Sequence, residues 1–320
     1  GGTSGLAPYT ATIVFGGEVS GSNTAVNEYY NGSSWTELSD LNTARSYFAG
    51  AGSAYTAAIG FGGNSYPGPM YANTESWDGS SWTEVNDLNT ARGGLAGTGT
   101  QTAALAAGGP SSSVLVESWN GSSWTETTEI NNGRTYVVGN GTQTSMLIYG
   151  GYDTAYRAFT ELWDGSSWTE VADLATSRGS IGRAGASNRS GLAAGGDVPG
   201  SPGRSGVTEE WSFPSGPHLS EGDLFLSGGT TLKGVVKASS PSTIWSSGGN
   251  LNTAKMYMWG HGPSGSIDAC MVSGGSSGSR ITQTEQYNGS SWTEVADLGT
   301  ASSTEGQVSS GDQTSAMAAA

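Results

Sequence analysis

Short apolar runs that each end in a pair of glycines recur along the chain and predict a repeated β-strand. The pairs are Gly16-Gly17, Gly62-Gly63, Gly108-Gly109, Gly150-Gly151, Gly195-Gly196 and Gly274-Gly275. Successive pairs lie 46, 46, 42, 45 and 79 residues apart, and an interval of 42 to 46 residues suits four short strands with their turns. The pattern therefore predicts one β unit that is repeated along the chain.

A tryptophan phrase alternates with the double glycines and predicts a hairpin in every unit. One copy runs from Glu75 to Val85, with an Asp-Gly pair between its two tryptophans. Such a pair, or the Asn-Gly of other copies, favours the positive φ angles of a tight type I′ turn. The repeated structural tryptophans are Trp35, Trp82, Trp124, Trp168 and Trp292, and Trp245 marks a divergent copy.

The unit at 92–127 divides into four predicted strands, A to D. Their limits are 93–97, 102–107, 114–119 and 124–127, bounded by Gly, Asn and Ser. This order puts the B/C loops and D/A connections on one face of the repeat and the A/B and C/D turns on the other. The B/C loops differ in length and composition between units, whereas the turns of the other face are repetitive.

These features resemble the Kelch type of β-propeller over nearly the whole chain. Besides the double glycine and the Trp on strand D, an aromatic residue stands on strand C, at Trp77, Trp119, Trp163, Trp211 and Tyr287. The resemblance implies an all-β fold, a Kelch-like β-propeller of four-stranded antiparallel blades with each repeated Trp packed between neighbours. Seven A/B pairs but six C/D pairs are visible, so we predict six or seven blades.

The long interval after the fifth double glycine divides the chain. We predict blades 1 to 5 at 1–212, a β-hairpin insertion or junction at 213–245, and blades 6 and 7 at 246–320. The last A/B pair, at 304–320, ends in Ala-Ala in place of Gly-Gly, so that blade is incomplete. Because the chain starts without Met, we expect it to be part of a longer polypeptide.

Composition restricts the function classes. The 53 Gly would be typical of a disordered segment, but the 11 Trp and 13 Tyr supply the apolar area of a folded core. A formal net charge of −15 disfavours nucleic acid and anionic membrane surfaces as partners. No run of 18 apolar residues is present, so we expect no membrane insertion.

Candidate catalytic and metal-binding patterns are sparse. The chain has two His and one Cys, and their spacing matches neither a zinc site nor a hydrolase triad, so we expect no metal, no cofactor and no enzymatic activity. Paired carboxylates of a polysaccharide-active enzyme stay open as an alternative, because sequence does not show which acids meet.

The B/C loops are the predicted binding sites, because variable loops on a rigid scaffold commonly carry recognition. Aromatic and methionine side chains there suit contact with sugars or protein partners. The candidate residues are Tyr66, Met70, Tyr71, Tyr152 and Tyr156.

A repeated arginine in the D/A connections has a structural interpretation. It occurs as Arg45, Arg92, Arg134 and Arg178. Each follows an acidic residue by five positions (Asp40, Asp87, Glu129 and Asp173), which predicts an ion pair or a carbonyl contact within the repeat. Lys255 and Ser302 stand at the arginine position of later units, which predicts that the pair is lost there.

The phrases Asn/Asp-Gly-Ser-Ser-Trp-Thr-Glu and Leu-Asn-Thr-Ala-Arg are similar to propeller repeats in tail and virion-surface proteins of marine bacteriophages. The hairpin at 221–234 also resembles an element of phage structural proteins. The resemblance implies a virion structural or appendage protein, such as a tail fibre, whose loop face contacts a host glycan, a protein receptor or other virion subunits. It further implies a location on the virion surface and a homo-oligomer or larger assembly. A bacterial extracellular surface or filament-forming protein is the alternative.

Overall fold

Six four-stranded antiparallel sheets account for nearly all the strands in the part of the chain that the structure describes. The structure is a computed structural model, and it describes residues 2–3, 11–19, 21–65, 68–110, 112–200, 203–212, 224–227, 231–234, 244–257, 259–261, 270–299 and 301. No helix long and apolar enough to span a membrane occurs within these ranges. The predicted all-β class with four-stranded antiparallel units is therefore confirmed.

Five of the sheets take four consecutive strands each, in chain order. The first is β1 (Gly2–Thr3), β2 (Thr12–Val19), β3 (Ser22–Tyr30) and β4 (Trp35–Glu37). The second is β5 (Ala49–Ala54), β6 (Ala57–Phe61), β7 (Thr74–Trp77) and β8 (Trp82–Val85). The third is β9 (Ala96–Thr100), β10 (Ala103–Ala107), β11 (Val116–Trp119) and β12 (Trp124–Glu126). The fourth is β13 (Val138–Thr142), β14 (Ser145–Tyr149), β15 (Thr160–Trp163) and β16 (Trp168–Glu170).

The fifth sheet is interrupted by the long interval. It joins β17 (Gly182–Ser187), β18 (Ser190–Ala194) and β19 (Thr208–Ser212) to β22 (Ile244–Ser247). Between its third and fourth strands, β20 (Leu224–Ser227) and β21 (Thr231–Gly234) form the separate hairpin. The insertion thus lies inside the fifth sheet and not after it. The sixth sheet is β23 (Trp259–His261), β24 (Cys270–Ser273), β25 (Thr284–Tyr287) and β26 (Trp292–Val295).

The first strands of successive sheets contact one another, so they are the innermost strands around a common axis. The sixth sheet also meets the first, because Met271 packs with Tyr30 and Arg280 forms an ion pair with Glu18. Sheets arranged in this way are typical of a propeller-like fold. The predicted seventh A/B pair, at 304–320, lies outside the described residues.

The turn between the third and fourth strands differs from the prediction. Trp77 pairs directly with Trp82, so four residues form the loop, and only its Gly79 has a positive φ, of 96°. The carboxylate of Asp78 accepts the backbone N–H groups of Ser80 and Ser81 at 2.8 Å. The tight type I′ assignment was therefore wrong, since the Asp side chain closes a wider turn.

The repeated tryptophans pack between neighbouring sheets, as the resemblance implied. Trp82 of the second sheet lies 4.5 Å, between ring centroids, from Phe15 of the first. Trp124 of the third sheet meets Phe61 of the second at 4.7 Å. Each fourth-strand Trp therefore joins its own sheet to the one before it.

The repeated arginines are buried and pair with partners other than the predicted ones. Arg45 contacts Glu75 at 3.0 Å, and both side chains are at most 1% exposed. The equivalent pairs are Arg92–Glu117, Arg134–Glu161 and Arg178–Glu209, and a lysine maintains the arrangement at Lys255–Glu285. Each pair joins a D/A connection to the third strand of the following sheet. The predicted pairing with the acid five residues earlier, and its predicted loss at Lys255, were both wrong. The alternative of a carbonyl contact is observed, since Arg134 donates to the carbonyls of Asn132 and Gly150 at 2.6 and 2.7 Å.

The acids of the earlier prediction have another role. Asp87 and Asp173 accept the N–H of Thr74 and Thr160, at 3.2 and 3.0 Å. These two acids therefore each bond the first backbone N–H of a third strand.

Glu28 occupies the same position in the first sheet, but no basic residue in the described part of the chain pairs with it. Burial raises the pKa of its carboxyl group, an effect that the N–H of Gly299 partly offsets and that nearby Glu37 increases. A carboxyl whose pKa is raised by folding stabilises the fold while protonated, and this contribution is lost as the pH rises through that pKa.

Glu28→Gln is therefore expected to raise the melting temperature at pH 7, because the variant avoids a buried charge. The gain should disappear below the ordinary glutamate pKa of 4.5, where wild type is protonated as well. Thermal melts of both proteins between pH 4 and 8 provide the check, with Glu75→Gln as the matched variant of a paired glutamate. A Glu28→Gln protein less stable than wild type at pH 7 would contradict this account.

Candidate functional site

Residues in a left-handed backbone conformation mark the D/A connections near the axis. Among the described residues, the position two after the repeated Arg or Lys has a positive φ in five connections: Tyr47, Gly94, Tyr136, Ser180 and Tyr257, at 50° to 66°. This conformation suits glycine and is uncommon for a bulky side chain. Backbone strain of this kind concentrates at functional sites when the surrounding structure enforces it.

A chain of backbone hydrogen bonds enforces the conformation. The N–H of Gly94 donates to the carbonyl of Tyr47 at 2.7 Å, and the N–H of Tyr136 donates to Gly94 at 2.8 Å. The N–H of Ser180 donates to Tyr136 at 3.2 Å. Four successive D/A connections are thus linked around the axis. The backbones of Tyr47 and Tyr136 are consequently fixed relative to each other.

A cavity of about 270 Å³ opens between the second, third and fourth sheets on the face that carries the B/C loops. Tyr47, Tyr136 and Tyr152 supply its aromatic surface, and Met70 adds an apolar edge that is 39% exposed. The remaining lining residues are Asn64, Gly93, Gly94, Pro110, Ser112, Thr135 and Asp153. Aromatic walls with a few polar groups are typical of a small-molecule site.

The loop that carries Tyr152 is fixed to the scaffold. Its N–H donates to the carbonyl of Thr135 at 2.7 Å, and the N–H of Thr135 donates back at 2.8 Å. Asn64 and Ser46 form the same reciprocal pair in the second sheet. The lining residues therefore belong to a preformed site and not to a loosely attached loop.

The five residues predicted from sequence have different positions. Met70 and Tyr152 line the cavity, whereas Tyr66 lies outside the described residues. Tyr71 uses its backbone to bond Gly63 and Arg92, and Tyr156 makes an edge-to-face contact with Tyr152, with ring centroids 5.3 Å apart. The structure thus brings two of the five into the cavity and places Tyr156 directly behind it.

Two lining tyrosines come from connections that sequence analysis treated as merely repetitive. Tyr47 and Tyr136 both stand two positions after the buried arginine, in Arg-Ser-Tyr and Arg-Thr-Tyr. Their rings lie 6.0 Å apart, and the intervening connection has Gly94 at this position. A Cβ on Gly94 would lie 2.1 Å from the hydroxyl of Thr135, so a side chain does not fit at this position unless Thr135 moves. Alternation of Tyr and Gly after Arg is the pattern that could have identified the site.

Carboxylates on the loop face are held by partners within the protein. Arg157 donates through Nε to both oxygens of Asp153 at 2.9 Å and holds the pKa of that carboxyl well below its usual range. Tyr156 donates to Asp197, and Arg280 pairs with Glu18. Asp153 therefore enters the cavity as a fixed anion, suited to accept hydrogen bonds from hydroxyl groups.

The described residues contain no group of three His, Cys, Asp or Glu side chains placed to hold a metal ion. Cys270 is buried, and its lone thiol lies in the core of the sixth sheet.

Comparison with known proteins supports the architecture. No family model matches the chain, and no curated protein matches it. Among solved structures, the chain is similar to the one described as "Structure of YjhT", with a TM-score of 0.63 and 11% identity. The match covers 92% of this chain and 99% of the other. At this identity the similarity shows the fold alone, and that fold is all-β and propeller-like.

Proposed function

We propose that the protein is a non-enzymatic virion structural or appendage protein whose loop-face cavity binds a glycan of the host surface. The cavity lined by Tyr47, Tyr136 and Tyr152 carries the proposal. Aromatic faces stack on the apolar side of a sugar ring, and Asn64 and Asp153 offer polar groups for its hydroxyls.

The strained tyrosines favour recognition over a purely structural role. A left-handed tyrosine costs on the order of 1–3 kcal/mol. Two of the three described tyrosines in this conformation, Tyr47 and Tyr136, line the cavity. Preformed geometry lowers the entropy cost of binding. The proposed ligand therefore meets a rigid aromatic cleft.

The engaged carboxylates support binding over hydrolysis. A glycosidase needs two free carboxyl groups about 5–10 Å apart across the bond it cleaves. Among the described lining residues Asp153 is the acid, and its oxygens are both bonded by Arg157. A polysaccharide-active enzyme is accordingly the weaker alternative.

The virion setting rests on the repeated phrases. Near-identical hairpins and D/A connections resemble those of phage propeller proteins of the Kelch type, and the formal charge of −15 suits a salt-exposed surface. In that setting the protein assembles as a homo-oligomer or with other virion subunits. A bacterial extracellular surface protein would use the same cavity in the same way.

Tyr136→Gly is expected to reduce glycan binding about tenfold or more, because it removes one aromatic wall of the cavity. Glycine occupies the equivalent position 94, so the backbone tolerates the change. The measurement is binding of labelled protein to an array of bacterial surface glycans. Tyr55→Ala is the matched control, since this tyrosine is 37% exposed and lies in an A/B turn on the opposite face.

Three outcomes are informative. Selective loss in Tyr136→Gly supports the cavity. Equal binding by wild type and Tyr136→Gly would show that the cavity does not bind the glycan. Selective loss of binding in Tyr55→Ala would place the binding site on the opposite face.

A further inference from the structure

One register position of the innermost strands is a glycine in every sheet except the fifth. Each of these residues pairs with the residue two before the double glycine of its own sheet. The glycines are Gly2, Gly50, Gly97, Gly139 and Gly260, and the fifth sheet has Arg183. At this position along the innermost strands, the fifth sheet therefore has an arginine side chain where the other sheets have only glycine.

The side chain of Arg183 reaches the innermost strand of another sheet. Its Nη2 donates to the carbonyl of Gly97 at 2.8 Å, and this glycine belongs to the third sheet. The residue is 2% exposed. The guanidinium is therefore inside the ring of innermost strands and not at either rim.

This charge differs from the other buried arginines because no carboxylate compensates it. Arg45, Arg92, Arg134 and Arg178 each have a glutamate partner, whereas no described acid forms an ion pair with Arg183. Its Nε and Nη1 are buried without a hydrogen-bond acceptor. An uncompensated buried charge costs several kcal/mol, and unmade hydrogen bonds add to that cost.

The groups around the guanidinium leave it charged at neutral pH. Burial lowers its pKa to about 10, and the phenol of Tyr149 partly offsets this effect. Burial also raises the pKa of Tyr149 well above its ordinary value, so the phenol is neutral and supplies no negative charge. No counter-charge for Arg183 is present among the residues that the structure describes.

We propose that Arg183 binds a small monoanion on the axis through its Nε and Nη1 groups. A halide or a single carboxylate has the required charge and accepts several N–H groups at once. The protein as a whole carries a formal charge of −15, so it repels anions in general. An anion retained at this place would therefore be held by the local geometry.

Bromide is the probe for a crystallographic test, because its anomalous scattering distinguishes it from water. Wild-type crystals soaked in sodium bromide are expected to show an anomalous peak within hydrogen-bond distance of Arg183 Nε or Nη1. Ordered water alone at both nitrogens would overturn the proposal.

A solution test uses Arg183→Gly, the residue that the five other sheets carry at this position. Replacing gluconate by bromide, on the order of 100 mM at constant ionic strength, should raise the wild-type Tm by about 2–4 °C. The Tm of Arg183→Gly should not respond. An equal rise in both proteins would show a general salt effect and contradict the site. Arg183→Lys, which keeps the charge, serves as a second variant if the glycine form does not fold.

Discussion

Replacement of Arg134 by Met is expected to lower the free energy of unfolding by about 3–5 kcal/mol, because it leaves a buried carboxylate without its counter-charge. Arg134 Nη1 lies 2.6 Å from Glu161 Oε1, and the two side chains are 1% and 0% exposed. Glu161 also accepts the N–H of Asn131 at 2.7 Å. Its carboxylate therefore cannot turn toward water without breaking this hydrogen bond to the D/A connection. Denaturant unfolding of the variant measures the loss.

The matched control is Arg157→Met, which breaks the pair with Asp153. Its side chains are 34% and 21% exposed, and such pairs contribute about 0–1 kcal/mol. The double variant Arg134→Met/Glu161→Gln should recover part of the loss, because it removes the buried charge as well. If Arg134→Met were as mild as Arg157→Met, the buried pairs would not hold neighbouring sheets together.

Replacement of Trp82 by Ala is expected to cost about 3–5 kcal/mol, the range for a large side chain removed from a packed core. The residue is 6% exposed and lies against Phe15 of the first sheet and Trp77 of its own. Loss of the indole would leave a void between two sheets, and neither sheet could fill it without moving the other. Equilibrium unfolding again provides the value.

Trp35→Ala is the comparison at the equivalent position of the first sheet. Trp35 is half-buried and packs on Tyr30 at 5.0 Å, near the contact between the first and sixth sheets. We expect a smaller loss than for Trp82→Ala. A loss below about 1 kcal/mol for Trp82→Ala would mean that the repeated tryptophans are peripheral.

Strand positions could be predicted from local patterns because alternation, glycine and turn residues act over a few positions. In the third sheet, predicted strand B at 102–107 corresponds to Ala103–Ala107, and strand C at 114–119 to Val116–Trp119. Strand A was predicted at 93–97 but forms at Ala96–Thr100. The cause is Gly94, whose left-handed backbone keeps the preceding residues in the connection.

The ion pairs could not be predicted in this way, because the paired residues are about thirty positions apart in the sequence. Arg45 is 30 residues before Glu75, whereas the acid of the local prediction is five residues away. The same limit applies to the cavity, which three successive D/A connections and three B/C loops build together. Sequence indicated Met70 and Tyr152 because they stand in variable loops. It did not indicate Tyr47 and Tyr136, since their role depends on a backbone conformation.

Recognition by the loop face is tested most directly by a loop exchange. The purified chain and a variant with Gly/Ser in place of the B/C loop at 152–158 would be compared for binding to bacterial surface glycans and to host cells. The account predicts saturable binding by wild type and loss of binding in the variant. Circular dichroism should show that both proteins are folded. Undiminished binding by the variant, or assembly of the wild type into particles without any glycan binding, would contradict it.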